Sequence, residues 1–217
     1  MKPNIFPRLL SGGLPGKLAQ GEMCPALMRP LLMEETPCRA VDSAVNLILR
    51  PANGGGAPED LLTWQALLIR RNTYDGVHSG QIALPGGKCE AGESYWQTAC
   101  RETFEEVGIA EERVEKQGAL TSVYVLPSNY VIHPFVVIWR DAGKLTVNPR
   151  EVADYKFVPL GEFDPARSKM HDFTYRDGSV KASPAWFYQD YVIWGATAMI
   201  LAEFYRIISS DNAVRLN

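Results

Sequence analysis

An α+β fold, built as an α/β/α sandwich, is the class this sequence predicts. Three observations predict it. Short apolar, β-like runs recur at residues 44–49, 64–70, 120–126 and 130–139. Two longer segments keep a helical period, one running from Ser94 to Gly108 and one over residues 195–208. The runs interleave with these helices along a chain of 217 residues, enough for one domain with a substantial core.

The elements follow in order. Residues 1–40 are rich in Pro and Gly and read as an irregular N-terminal arm, with room for a short helix; the folded domain is expected over 41–217. The run 44–49 and the run 64–70 are strands, and the Gly- and Pro-rich stretch 51–60 between them reads as a hairpin loop. Residues 81–84 lead into Pro85-Gly86-Gly87. Then comes a helix in which Trp96, Ala99, Thr103 and Val107 step by three or four along one face. Ser94 is its expected N-cap, and Gly108 stands where a helix stops in the left-handed conformation. Strands 120–126 and 130–139 are joined at Pro127-Ser128-Asn129. Residues 145–147 and 156–158 are further short strands, and Asp177-Gly178 suits a tight hairpin. The last helix shows Ala198, Leu201, Ala202 and Tyr205 on one face.

The chemistry is concentrated on the first helix. Glu102, Glu105 and Glu106 stand at i, i+3 and i+4 and so share a face. Three carboxylates there repel one another. Arg101 can pair with Glu105 at i+4, but one cation does not neutralise three anions. A hard dication would, since Mg²⁺ takes oxygen ligands from a few carboxylates and from substrate phosphate. Gly86 and Gly87, without Cβ atoms, let the backbone approach metal and phosphate closely. A solvated acidic face is the bland alternative for Glu105-Glu106 taken alone.

The run Gly86-Gly87-Lys88-Cys89-Glu90-Ala91-Gly92-Glu93, continuing to Arg101-Glu102-Thr103-Phe104-Glu105-Glu106-Val107-Gly108-Ile109, resembles the Nudix box. That box marks hydrolases of diphosphates linked to another moiety. Thr103 departs from it, in a place where a bulky aliphatic residue is usual. The segments Leu67-Leu68-Ile69-Arg70-Arg71 and His78-Ser79-Gly80-Gln81-Ile82-Ala83-Leu84-Pro85-Gly86-Gly87 are similar to those of the coenzyme A pyrophosphatase subfamily. So are Asn148-Pro149-Arg150-Glu151-Val152, Val158-Pro159-Leu160 and Ile193-Trp194-Gly195-Ala196-Thr197-Ala198, so that the resemblance covers roughly residues 44–205. It departs at Asp75-Gly76, where the subfamily carries Leu-Arg, and Gly cannot replace the planar phosphate recognition of Arg.

The resemblance implies a Nudix fold with a mixed sheet between helices, and Mg²⁺ or Mn²⁺ held by Glu102, Glu105, Glu106 and the Gly86 carbonyl. It implies that Arg101 holds the carboxylates in place and that Glu93 shapes the junction of loop and helix. Glu102 and Glu151 are both candidates for the general base. Arg70, Arg71 and Lys88 are candidates for substrate binding. His78 either bonds a phosphate or locks its loop; His133, inside an apolar strand, reads as a core residue whose ring is satisfied by hydrogen bonds. The implied reaction is hydrolysis of coenzyme A or acyl-coenzyme A to 3′,5′-ADP and (acyl-)4′-phosphopantetheine. ADP-ribose, dinucleotides and nucleotide sugars are the alternative substrates, and a non-catalytic nucleotide sensor is the competing class.

Composition narrows the partners. The chain is 46% hydrophobic and 22% charged with net charge −3, so no basic field invites nucleic acid. No apolar run reaches membrane-spanning length. Residues 1–10 lack the apolar core of a signal peptide, and Cys24, Cys38, Cys89 and Cys100 show no paired C-x-x-C spacing. The expectation is a cytoplasmic protein with reduced thiols, acting on a small nucleotide derivative, with a homodimer left open.

Overall fold

The computed structural model describes residues 10, 13–34, 36–37, 39–52, 61–72, 80–139, 143–174 and 178–215, with the backbone alone for 27, 31 and 210–215. Strand β1 (Val41–Arg50) is the axis of the main sheet. It runs parallel to β7 (Tyr130–Trp139), in register from Val41 opposite Tyr130 to Leu49 opposite Ile138. Its other edge carries two antiparallel partners in succession, β4 (Gly86–Lys88) and β2 (Gln65–Arg71). β2 also pairs with β3 (Ile82–Ala83) and, on its far edge, with β8 (Val152–Pro159). β5 (Val114–Ala119) and β6 (Val123–Val125) line the outer edge of β7.

Both faces of this mixed sheet are covered, which is why its central strands read as continuous apolar runs. Leu47, Leu49, Ala66 and Leu68 point into one cluster, shared with α4 (Gly195–Arg215). Ile48, Leu67 and Ile69 point into the other, shared with Val107 at the end of α3 (Tyr95–Val107). The result is the expected α+β sandwich.

α3 begins and ends where the sequence places it. The Ser94 side chain accepts from the Gln97 N–H, Gln97 answers at the Ser94 N–H, and Gly108 closes the helix at φ 72°. Thr103 is bound through its hydroxyl as well as packed: Asn46 Nδ2 of β1 donates to Thr103 Oγ1 at 3.0 Å and to the Ala99 carbonyl at 3.0 Å. A bulky aliphatic residue would leave this buried amide one partner short.

Three elements differ from expectation. The strand expected over 120–126 is shortened to β6, and β5 before it is not among the expected strands. Thr121 between β5 and β6 gives its N–H to Glu203 (3.2 Å) and its carbonyl to Gln20 Nε2 (2.9 Å), so it takes no part in the ladder. Residues 145–147 form no strand. Instead, the Thr146 N–H bonds the Val107 carbonyl (3.1 Å) and the Asn148 N–H bonds the Glu106 carbonyl (2.9 Å), satisfying acceptors at the end of α3. The last helix is longer than 195–208 and buried on more than one face. Its outer side lies against α1 (Gly16–Glu22), where Gln20 Nε2 donates to the fully buried Glu203 at 2.8 Å. A second short helix, α2 (Arg29–Leu32), follows α1.

In the chain between β8 and α4 comes a small antiparallel sheet of β9 (Lys169–Thr174), β10 (Val180–Tyr188) and β11 (Tyr191–Trp194). Thr174 pairs with Val180 across the expected hairpin, whose Gly178 has φ 79°; Asp177 lies outside the described residues. Most of the loop 51–60 lies outside them too. The connection at Pro127-Ser128 is a turn of 3-10 helix ending at Asn129, φ 55°. Cys24, Cys89 and Cys100 are free thiols. No described helix is long and apolar enough to cross a membrane.

Candidate active site

The helix period sets Glu102 and Glu106 on the face of α3 turned toward β4. A third carboxylate, Glu151, arrives from the turn just before β8. Ligand oxygens of these three residues lie within 4.8 Å of one another. The turn is held from two sides. Asn72, at the end of β2, gives its N–H to the Glu151 carbonyl (2.8 Å) and its side chain to the Pro149 carbonyl (2.7 Å). Asn148 donates to Glu151 Oε1 at 3.0 Å, while its own N–H is bound to the Glu106 carbonyl.

Glu106 is the most deeply buried of the three carboxylates. Its side chain is 1% exposed. Oε2 accepts the Gly86 N–H at 2.9 Å, whereas Oε1 has no hydrogen-bond partner. Arg71 Nη1 approaches Oε1 to 3.6 Å, an ion-pair distance too long for a hydrogen bond, and lies 3.4 Å from the Gly86 carbonyl. Burial pushes the Glu106 carboxyl up to about 8, against the opposing pull of Arg71 and the Gly86 N–H. Burial also raises Glu102, with Arg101 opposing it. A buried carboxylate oxygen with an unused lone pair, beside two further carboxylates, fits a hard divalent cation.

The two glycines are fixed by close approach. A Cβ on Gly87 would lie 2.4 Å from Glu102 Cδ. One on Gly86 (φ 152°) would lie 2.3 Å from the Ala44 carbonyl oxygen of β1. Any side chain at Gly87 would therefore displace a carboxylate of the cluster.

Arg101 is the hub on the adjoining side. Nε and Nη2 grip Glu93 at 2.7 and 3.1 Å, Nη1 bonds Glu102 Oε1 at 2.8 Å and Glu105 Oε2 at 3.2 Å, and Nη2 reaches the Lys88 carbonyl at 3.2 Å. Glu93 also accepts from Thr98 Oγ1 (2.7 Å) and the Glu90 N–H (3.1 Å). Its carboxyl is held down at about 2, chiefly by Arg101.

The candidate residues thus separate. Glu102, Glu106 and Glu151 are brought together, with the Gly86 backbone and Arg71 against Glu106. Glu105 is outside this group, 47% exposed and paired with Arg101. Lys88 contributes its carbonyl to Arg101 and keeps its side chain exposed. Arg70 is turned to the opposite face from Arg71, bonded to Asp154 (3.2 Å) and Asp190 and lying over the Tyr191 ring. His78 lies outside the described residues. His133 is tied to Asp42 (2.7 Å) and Ser122 (3.0 Å) and stacks on Tyr95. Asn72 and Asn148, which position Glu151, are not among the sequence candidates. Asn148-Pro149 is a turn signal, whereas nothing local marks Asn72.

The family model described as the NUDIX domain matches residues 43–177, a span that includes β4, α3 and the Glu151 turn. The chain belongs to the Nudix family. It is similar to an uncharacterized Nudix hydrolase NudL of Photorhabdus laumondii, at 35% identity over 136 residues, 62% of this chain and 72% of that one. It is similar to a human mitochondrial coenzyme A diphosphatase at 30% identity, over 61% of this chain and 57% of the human protein, so the match spans little more than half of that relative. The crystal structure of a Nudix hydrolase from M. smegmatis superposes with a TM-score of 0.50 at 16% identity, over 81% of this chain and 87% of that chain, a likeness of fold alone. Family and carboxylate cluster together make this Nudix protein a hydrolase of phosphoric anhydride bonds.

Proposed function

We propose that this Nudix protein hydrolyses the diphosphate bond of a nucleoside diphosphate derivative, using Mg²⁺ or Mn²⁺. The observation that carries the reading is the buried Glu106 Oε1, which has no hydrogen-bond partner, beside Glu102 and Glu151. Glu102, Glu106 and the Gly86 carbonyl would hold the cation, with Glu151 beside them. When bound, it supplies charge neutralisation and Lewis acidity at the diphosphate. Arg101 keeps Glu102 turned toward the site, and Glu105 stands as an outer carboxylate on its exposed side. Glu151 is assigned as general base for the attacking water. It is exposed to solvent, and Asn148 holds Oε1 and leaves Oε2 to take the proton. Arg71 and Lys88 face the diphosphate. The catalytic domain is assigned to residues 41–217, with residues 1–40 as an N-terminal arm.

ADP-ribose, dinucleotides and nucleotide sugars lead as substrates, because they lack the 3′-phosphate of coenzyme A, which would call for an Arg where Gly76 stands. Coenzyme A is the second reading, favoured by the segments around Gln81–Gly87 and Asn148–Val152 and by the human relative's name. Chromatography of the products from ADP-ribose, diadenosine polyphosphates, a nucleotide sugar, coenzyme A and acetyl-coenzyme A, with Mg²⁺ and with Mn²⁺, tests both. Cleavage of the first group at the diphosphate is the expected result. Release of 3′,5′-ADP from coenzyme A in preference would install the second reading, and no cleavage of any substrate with either metal would overturn the hydrolase assignment.

A further inference from the structure

We propose that Arg71 is a built-in counter-cation of the carboxylate cluster that competes with the divalent metal and is handed to the substrate when the metal binds. The inference rests on the metal site assigned above and extends it. Arg71 Nη1 lies 3.6 Å from Glu106 Oε1 and 3.4 Å from the Gly86 carbonyl oxygen. These are the two oxygens that the site offers from its buried wall. The guanidinium is close enough to neutralise them, yet not engaged at full hydrogen-bond strength, since Oε1 has no hydrogen-bond partner.

Two cations cannot share the same pair of oxygens without strong repulsion in a half-buried setting. That repulsion favours Arg71 swinging away as a divalent cation takes them. Its side chain is 29% exposed and can turn toward the mouth of the site, unlike Glu106. Arg70 cannot make this exchange, because Asp154, Asp190 and the Tyr191 ring close it in on the other face. A displaced guanidinium at the mouth presents planar donors to an incoming diphosphate. Arg71 is thus a positioning residue in the metal-free protein and a phosphate ligand in the loaded one.

The test is Mn²⁺ titration calorimetry, without nucleotide, on wild type, Arg71→Gln and Arg71→Lys, each checked for an unchanged circular dichroism spectrum. Titrated at a pH high enough to ionise the carboxylate cluster in each protein, removing the competing charge should tighten Mn²⁺ binding roughly tenfold in Arg71→Gln, and Arg71→Lys should stay near wild type. Binding of α,β-methylene-ADP in saturating Mn²⁺ should weaken in Arg71→Gln. A readout on the wild type alone is the side-chain Nε–H NMR resonance of Arg71, which should shift as Mg²⁺ is added before any nucleotide. Mn²⁺ binding that is equal or weaker in Arg71→Gln, or an Nε–H resonance unmoved by Mg²⁺, overturns the inference while leaving the metal site standing. Failure of the wild type to bind Mn²⁺ at all overturns the metal site and this inference with it.

Discussion

Glu93 and Glu106 belong to the same loop-and-helix segment and carry the same functional group, yet they sit in opposite conditions. At the entrance to the helix Glu93 has both oxygens occupied, by Arg101, Thr98 and the Glu90 N–H, and its carboxyl is held down at about 2. Near the helix end Glu106 is buried with one oxygen lacking a hydrogen bond, and its carboxyl is pushed up to about 8. The first is a finished structural anion. The second is a carboxyl that the fold leaves incomplete, and that is what a metal ligand requires. The spacing of acidic residues does not separate the two, but the partners of their oxygens do.

The contrast can be broken by removing each charge in turn. Glu106→Gln keeps the shape of the side chain and the contact at the Gly86 N–H while removing the anion. It should lower kcat roughly a hundredfold or more, each tenfold being about 1.4 kcal/mol, with the melting curve retained. Steady-state kinetics on whichever substrate the panel identifies would show it, and wild-type turnover would remove Glu106 from the site. Glu93→Gln loosens Arg101 and, through it, Glu102. Its effect on kcat should be smaller, about ten- to a hundredfold, as for groups that orient metal ligands from behind. A larger loss at Glu93 than at Glu106 would reverse the assignment.

The third handle is pH. In the metal-free protein the Glu106 carboxyl, at about 8, holds its proton well above the ordinary value of 4.5. Between those two values the folded state binds more protons than the unfolded chain, so metal-free stability should fall as pH rises through that window. Metal must displace the same proton, so the apparent Mn²⁺ affinity should rise by up to about tenfold per pH unit toward 8 and then level off. Calorimetry from pH 6 to 9 checks this, and a flat profile would mean that Glu106 is already ionised.

How much of this was legible in the sequence depended on the range of the interactions. Ser94, the helical period and Gly108 are local signals, and α3 lies where they put it. The strand over 130–139 was equally plain, because no residue in it is exposed and it is apolar apart from His133. The break between β5 and β6 was not legible, since the acceptor for the Thr121 N–H is Glu203, distant in sequence on the last helix. Nor was the hydroxyl role of Thr103, which needs Asn46 from β1. The carboxylate face was visible as a periodicity. Which of its members converge was not, because Glu151 is brought in by Asn72 and Asn148 from two other segments, and Glu105, legible as a neighbour of Glu106, lies on the exposed side of the helix.

The most direct test of the account is Mn²⁺ binding at pH 8, measured by calorimetry on the wild type and on Glu106→Gln. Saturable binding by the wild type that is lost in Glu106→Gln is the predicted result. Equal binding by the two proteins would contradict the claim that the unfinished coordination of Glu106 makes this cluster a metal site.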